Sequence, residues 1–228
     1  MRNSLHLLSK QMEYFFRTPD FWLLVLMVSG FLAEVIKFGG GIPLIYDGSG
    51  VFAILGGMLL LSTSFPGMFP GAEFRIMRTS RGAWFFSQIL FAVVMVIAYL
   101  LLIFMITTLI GKDTSLATLV EMGEGALPRS LLLYLVTGLF FLMVCLCSEM
   151  WGGGKGIGIF LCGILIFIDL FFRKDDLRIH ESIWRDFFTF QIQRQRRICL
   201  VLFSGSVLMT MLAYIRIGKY EIKSITKR

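Results

Sequence analysis

The sequence predicts an all-α, polytopic membrane protein with six transmembrane helices preceded by an N-terminal interfacial helix. Three observations carry that expectation. Of 228 residues, 57% are hydrophobic and only 16% charged, against roughly 45–50% and about 25% in a soluble domain. Long stretches carry no charge at all, and basic residues gather in alternate intervals between them. Such a chain has too little polar surface to coat a globule in water, which excludes a soluble enzyme. With 23 Phe, 13 Met and only 5 Pro, it is also unlike a disordered, collagenous or disulfide-stapled sequence.

The elements follow in order. Leu5, Leu8, Met12 and Phe15 recur at three- and four-residue steps opposite Lys10, Gln11 and Arg17, the pattern of a short helix lying in the membrane surface over 1–19. Pro19 is expected to end it. A cleaved signal peptide is not expected, because Lys10 and Glu13 interrupt the first apolar stretch and no small-residue cleavage site follows Phe21. Four charge-free runs can each cross a hydrocarbon core of about 30 Å: Gly48 to Ala72, Gly82 to Gly111, Ser130 to Ser148 and Ile198 to Ile215. Two further runs cross only if a carboxylate sits near the headgroups, Phe21 to Ile36 with Glu34 and Gly156 to Phe172 with Asp169, since a charge at the bilayer centre costs about 2.5–3.5 kcal/mol.

Orientation follows from Lys and Arg in the short loops. With the N-terminus inside, the cytoplasmic segments hold Arg2, Lys10, Arg17, Arg75, Arg78, Arg81, Lys155, Arg216, Lys219, Lys223, Lys227 and Arg228. The first two outer loops hold only Lys37, Lys112 and Arg129. Both termini are then cytoplasmic, and the chain is one transmembrane domain from 1 to 228. The segment 173–197 falls outside as the loop between spans five and six, although it is rich in basic residues; a re-entrant fifth span would reverse it but strand the basic tail outside. The net charge of +7 therefore reflects topology, and no nucleic-acid partner is expected. Trp184, Phe187, Phe188 and Phe190 do alternate with Arg185, Arg194, Arg196 and Arg197, a pattern that an interfacial helix explains better than a stacking groove.

Little in the chain points to chemistry of its own. The run Gly152-Gly153-Gly154-Lys155-Gly156 lacks the first Gly and the Ser or Thr of a phosphate loop, and is expected to form a tight turn with positive-φ glycines. Cys145, Cys147, Cys162 and Cys199 lie in or beside apolar runs without metal-ligand spacing, and His6 and His180 are far apart in sequence. No metal, cofactor or catalytic residue is expected in this chain. Glu34 with Lys37 three residues on, and Asp169 with Arg173 four residues on, read as ion pairs at span ends. Gly56, Gly57, Ser62, Thr63, Ser64 and Gly67, with Gly158 and Gly163, allow helices to pack closely in lipid, and Pro66 should kink or end the second span.

The most informative stretch is the loop between the second and third spans. Glu73, Arg75, Arg78, Ser80 and Arg81, interleaved with Phe74, Ile76 and Met77, form a short basic amphipathic segment that leads into Trp84, Gln88 and a long span. Together with the surface helix ending in Arg17-Thr18-Pro19 and a second span closing on small residues and Pro, this layout resembles the permease subunit of a type-2 ABC exporter. Within that family it is similar to small permeases of Gram-positive bacteria tied to peptide export or self-immunity. The likeness covers the whole chain in layout and about Phe65 to Leu90 in residues.

The resemblance implies a multi-pass subunit of the bacterial plasma membrane that forms half of a pathway with a second permease, identical or homologous. It implies that 73–81 is a coupling helix, with Glu73, Arg75, Arg78 and Arg81 docking on a separate ATP-binding subunit that holds ATP and Mg. The cargo would be a peptide or another amphipathic molecule. Three other readings remain open at this stage: a membrane-embedded enzyme using Glu34 or Asp169, a non-transporting sensor or immunity protein that binds through the region of Trp184, and an ion-coupled secondary transporter. The last would call for charges or internal repeats near the midplane, and the sequence has neither.

Overall fold

The computed structural model describes residues 2–17, 19, 22–23, 25–27, 29–30, 33–34, 48–64, 81–110, 126–152, 154–171 and 192–217. Apart from the turn at 151–152, every one of these is helical. Six helices are continuous: α1 (Arg2–Arg17), α2 (Gly48–Ser64), α3 (Arg81–Ile110), α4 (Ala126–Met150), α5 (Gly154–Phe171) and α6 (Ile192–Ile217). The described positions between 22 and 34, where the first span is expected, are helical as well.

Among the described residues three stretches are long and apolar enough to cross a membrane: Gly82–Ile106, Leu131–Met150 and Arg196–Arg216, with a shorter apolar helix over Gly156–Phe167. They coincide with three of the four long charge-free runs. In the fourth, helix α2 covers Gly48–Ser64, and Pro66 and Gly67 lie outside the described residues. At the other end of the chain α6 starts at Ile192, so 192–197 continue the last helix downward, and the remainder of the expected outer loop is not among the described residues.

Helix α4 is the centre of the bundle. It packs against α2, α3, α5 and α6, and its residues from Phe141 through Cys147 are all buried, on every side of the helix. Of its spanning stretch 61% is buried, against 22% for α6. The outward face of α6 carries Leu200, Val201, Phe203, Leu208 and Met211 and that of α3 carries Leu101, Phe104, Met105 and Leu109, all exposed. So large an apolar exterior is stable only in lipid.

Two close approaches fix the helix pairs. A Cβ on Gly158 of α5 would sit 2.6 Å from the Cα of Cys145 on α4, so the two backbones touch. On the other flank Tyr99 of α3 lies over Gly57 of α2, and its hydroxyl donates to the Ile54 carbonyl at 3.0 Å. Gly138 against Val96 and Gly205 against Phe140 complete the pattern expected where small residues replace hydrophobic driving force. Gly56 has no neighbour and Gly163 meets only Leu59 at ordinary contact distance, so of the glycines expected to bring helices together, Gly57 and Gly158 do so.

Three buried Ser and Thr hydroxyls are satisfied within their own helices. Ser62 donates to Met58, Thr137 to Leu133 and Ser206 to Leu202, each to the carbonyl four residues back at 2.8–2.9 Å. This local bonding allows polar side chains to sit in an apolar core without a partner helix.

The triple-glycine segment is a helical hairpin turn, as expected. Gly152 and Gly154 have φ of 84° and 71°, values that a Cβ would strain. The amides of Trp151 and Gly152 donate back to the carbonyls of Cys147 and Glu149, both at 3.0 Å, closing the end of α4. The Ser148 hydroxyl reaches across to the Gly154 carbonyl at 2.9 Å and ties the turn to α5. From there α5 runs antiparallel to α4, Gly158 against Cys145 and the Cys162 thiol 4.0 Å from the Phe141 carbonyl. The same register brings the end of α5 level with the start of the Leu131–Met150 stretch.

Candidate functional site at the start of α3

Side-chain contacts gather several helix ends at one pole of the bundle. Phe85, in the first turn of α3, stacks obliquely on Tyr214 near the end of α6, with ring centroids 5.6 Å apart. The guanidinium of Arg216 lies 5.4 Å from the ring of Trp151, just beyond α4. The start of α3, the turn between α4 and α5 and the end of α6 therefore share this pole, which also carries Arg81, Lys155 and Arg216. The indole of Trp84 and the exposed rings of Phe86, Trp151 and Tyr214 form an aromatic collar there, the composition found where a helix passes from hydrocarbon into headgroups.

Of the residues expected to couple to an ATPase, Glu73, Arg75 and Arg78 lie outside the described residues. Arg81 is the first residue of α3. A cation at that end opposes the helix dipole, and the first turn of α3 contains no acidic residue. By contrast Arg17 and Arg216 stand in the last turns of α1 and α6, where the dipole favours them. α3 is 30 residues long, about 45 Å, roughly 15 Å more than a hydrocarbon core needs. Its first turns can therefore stand clear of the hydrocarbon.

Helix α1 packs along those first turns. Gln11 donates from Nε2 to the Ser87 hydroxyl at 3.4 Å, and the Phe15 ring meets the edge of Phe91 at a centroid distance of 5.6 Å and an interplanar angle of 80°. The two contacts are four residues apart on both helices, so α1 climbs beside α3 in the same direction. Among the described side chains of α1, Leu7, Gln11 and Phe15 are buried, Leu8 and Met12 partly covered and Leu5 exposed. Gln11 thus belongs to the inward face, opposite to its expected place among the polar residues. Its spacing of four from Leu7 and from Phe15 was the signal, outweighed by its amide.

The outward face of α1 is held by charge. Glu13 lies 2.9 Å from both the Lys10 ammonium and the Arg17 guanidinium. The hydrogen bond from Lys10 and the charges of Lys10 and Arg17 hold the Glu13 carboxyl below its usual range. At the end of α1 the Trp22 indole donates to the Phe16 carbonyl at 2.9 Å, satisfying one of the carbonyls a helix end leaves open. Pro19, between them, is itself in helical conformation.

The α1–α3 seam contains a buried polar cluster. Gln11, Trp84, Ser87 and Gln88 are 2%, 3%, 0% and 0% exposed. Ser87 is satisfied, donating to the Trp84 carbonyl at 2.6 Å. The carbonyl oxygen of Gln11, the indole nitrogen of Trp84 and both side-chain polar atoms of Gln88 have no hydrogen-bond partner. These groups include donors and acceptors but no charge.

No family model and no curated protein matches this chain. The site is therefore read from its own residues. Glu34 is helical and exposed, while Lys37 and Arg173, the expected partners of Glu34 and Asp169, lie outside the described residues. Asp169 falls in the last turn of α5. All four cysteines are free thiols, three of them buried in the bundle. Among the described residues no three His, Cys, Asp or Glu side chains come together as metal ligands would.

Proposed function

We propose that this chain is the transmembrane subunit of an ATP-driven exporter of the type-2 ABC kind. It has six spans and both termini in the cytoplasm of a bacterium, and provides half of a pathway completed by a second permease. A separate subunit binds ATP and Mg and supplies the hydrolysis, and the cargo is a peptide or another amphipathic molecule. In this reading the pole that carries Arg81, Lys155 and Arg216 faces the cytoplasm, in keeping with positive-inside bias, and α1 lies at that boundary with Lys10, Glu13 and Arg17 toward the headgroups.

The observation that supports the reading is the way α3, which begins where 73–81 ends in the sequence, is built into the bundle. The segment leads directly into α3, a single helix of 30 residues that packs against α1, α2 and α4 and touches α6 through Phe85 and Tyr214. A displacement of 73–81 along the membrane normal would be transmitted by α3 to every helix it touches, because packed helices shift as units and not by continuous deformation. An acidic surface on the ATPase subunit would pair with Arg81, whose charge at the start of α3 the helix dipole does not favour.

The test is purification of the tagged protein in mild detergent with identification of the chains that accompany it. A stoichiometric partner carrying a phosphate loop and hydrolysing ATP is the expected result. A chain that purifies alone, from cells in which neighbouring ATPases are expressed, would refute the proposal.

A further inference from the structure

The seam between α1 and α3 is built unlike the others in the bundle. Elsewhere the buried hydroxyls of Ser62, Thr137 and Ser206 are satisfied within their own helices, that of Tyr99 by the Ile54 carbonyl of α2, and backbones approach through glycine. Here two glutamines and an indole are enclosed, and four of their polar atoms have no partner. A buried donor or acceptor without a partner is costly to keep, and native structures usually give each such group a role or a way out. Among the described residues Leu7 and Phe15 are the buried apolar anchors, with Leu8 and Met12 partly so, and the hydrogen bond from Gln11 to Ser87 is long at 3.4 Å.

Helix α1 also has what it needs to leave. Its Lys10–Glu13–Arg17 ion pairs lie at three- and four-residue steps within the helix and do not depend on α3. Its C-terminal end is closed by Trp22. Leu5 and Phe16 are exposed while α1 is docked, giving it apolar side chains to place in a membrane surface. Released, Gln11 and Gln88 would gain water as partner.

We infer that α1 is a reversible strap, exchanging between a docked state against the first turns of α3 and a released state on the membrane surface. The polar cluster of Gln11, Trp84 and Gln88 sets the balance by making the docked state imperfect. Docking braces the end of α3 that follows 73–81, and release frees it. The inference holds whether or not 73–81 binds an ATPase.

Spin labels at Ser9→Cys and Ile97→Cys, both exposed positions, in a Cys199→Ala background reconstituted in liposomes, report the separation of α1 from α3. Two distance populations are expected in the otherwise native chain. Gln11→Leu with Gln88→Met removes three of the four unpaired atoms and should deplete the longer distance at least about fivefold. Phe15→Ala should enrich it. A single short distance in the native chain, or two populations that neither variant shifts, overturns the strap. Should the double variant fail to fold, Gln11→Leu alone and Phe15→Ala still shift the ratio in opposite directions or refute it.

Discussion

The α4–α5 seam and the α1–α3 seam solve the same problem, joining two helices at one pole of the bundle, by opposite means. In the first, Gly158 lets the α5 backbone rest on that of Cys145, and a turn of positive-φ glycines with a Ser148 bond locks the hairpin. In the second, aromatic rings and amides meet through side chains, and four buried polar atoms lack a partner. Tight backbone contact has no alternative arrangement nearby, whereas a side-chain seam with unsatisfied amides does. On the strap inference, that difference makes the α4–α5 hairpin the frame and α1 with the start of α3 the part that shifts.

Substitutions should separate the two seams. The largest effect is expected at Gly158→Ala, where the new methyl meets backbone that cannot yield; about 1–3 kcal/mol of stability should be lost, read as a lower thermal midpoint in detergent. Gly57→Ala should cost less, on the order of 1–2 kcal/mol, because the obstructing Tyr99 side chain can turn away at the expense of its bond to Ile54. Phe15→Ala should barely move the global midpoint, since the damage is capped by the local release of α1, yet it should make α1 accessible to protease. Gln88→Met reverses the sign: removal of an unpaired amide should raise stability by up to about 1 kcal/mol, an outcome that would be contradicted by a clear drop in the midpoint.

The smallest effect is electrostatic. The Glu13 carboxyl is held below its usual range of 4.5, so the ion pairs on α1 contribute fully above that value, and the contribution is lost as pH falls through the lowered value. The groups are solvent-exposed and the change should be slight. It should vanish in Glu13→Gln when the helicity of the N-terminal segment is followed by nuclear magnetic resonance between neutral and acid pH.

The frame was largely legible in the sequence and the moving part was not. Charge-free runs mark α3, α4 and α6 because lipid excludes charge from every face of a spanning helix. The glycine triplet marks the hairpin because only glycine accepts positive φ cheaply. Gly57 and Gly158 were expected among the contact positions, but Gly138 and Gly205 were not, since a solitary glycine in an apolar run looks the same whether it faces lipid or a neighbour. For the same reason nothing in composition distinguishes α4, buried on all sides, from α6, mostly in lipid. Gln11 was misplaced because an amide is ordinarily assigned to the polar face, and its register with Leu7 and Phe15 is decisive only once α3 is beside it. Of the candidate coupling residues, Arg81 alone falls within the described helices.

The central claim is that force enters through 73–81 and travels along α3. It is tested most directly by reversing Arg75, Arg78 and Arg81 together to Glu and measuring, in the purified membrane complex, both the amount of bound ATPase subunit and its rate of hydrolysis. The account predicts that the chain still folds and inserts but loses the ATPase subunit, or retains it with hydrolysis no longer linked to transport. Normal assembly and normal transport in the triple variant would contradict it and leave 73–81 as a topogenic loop.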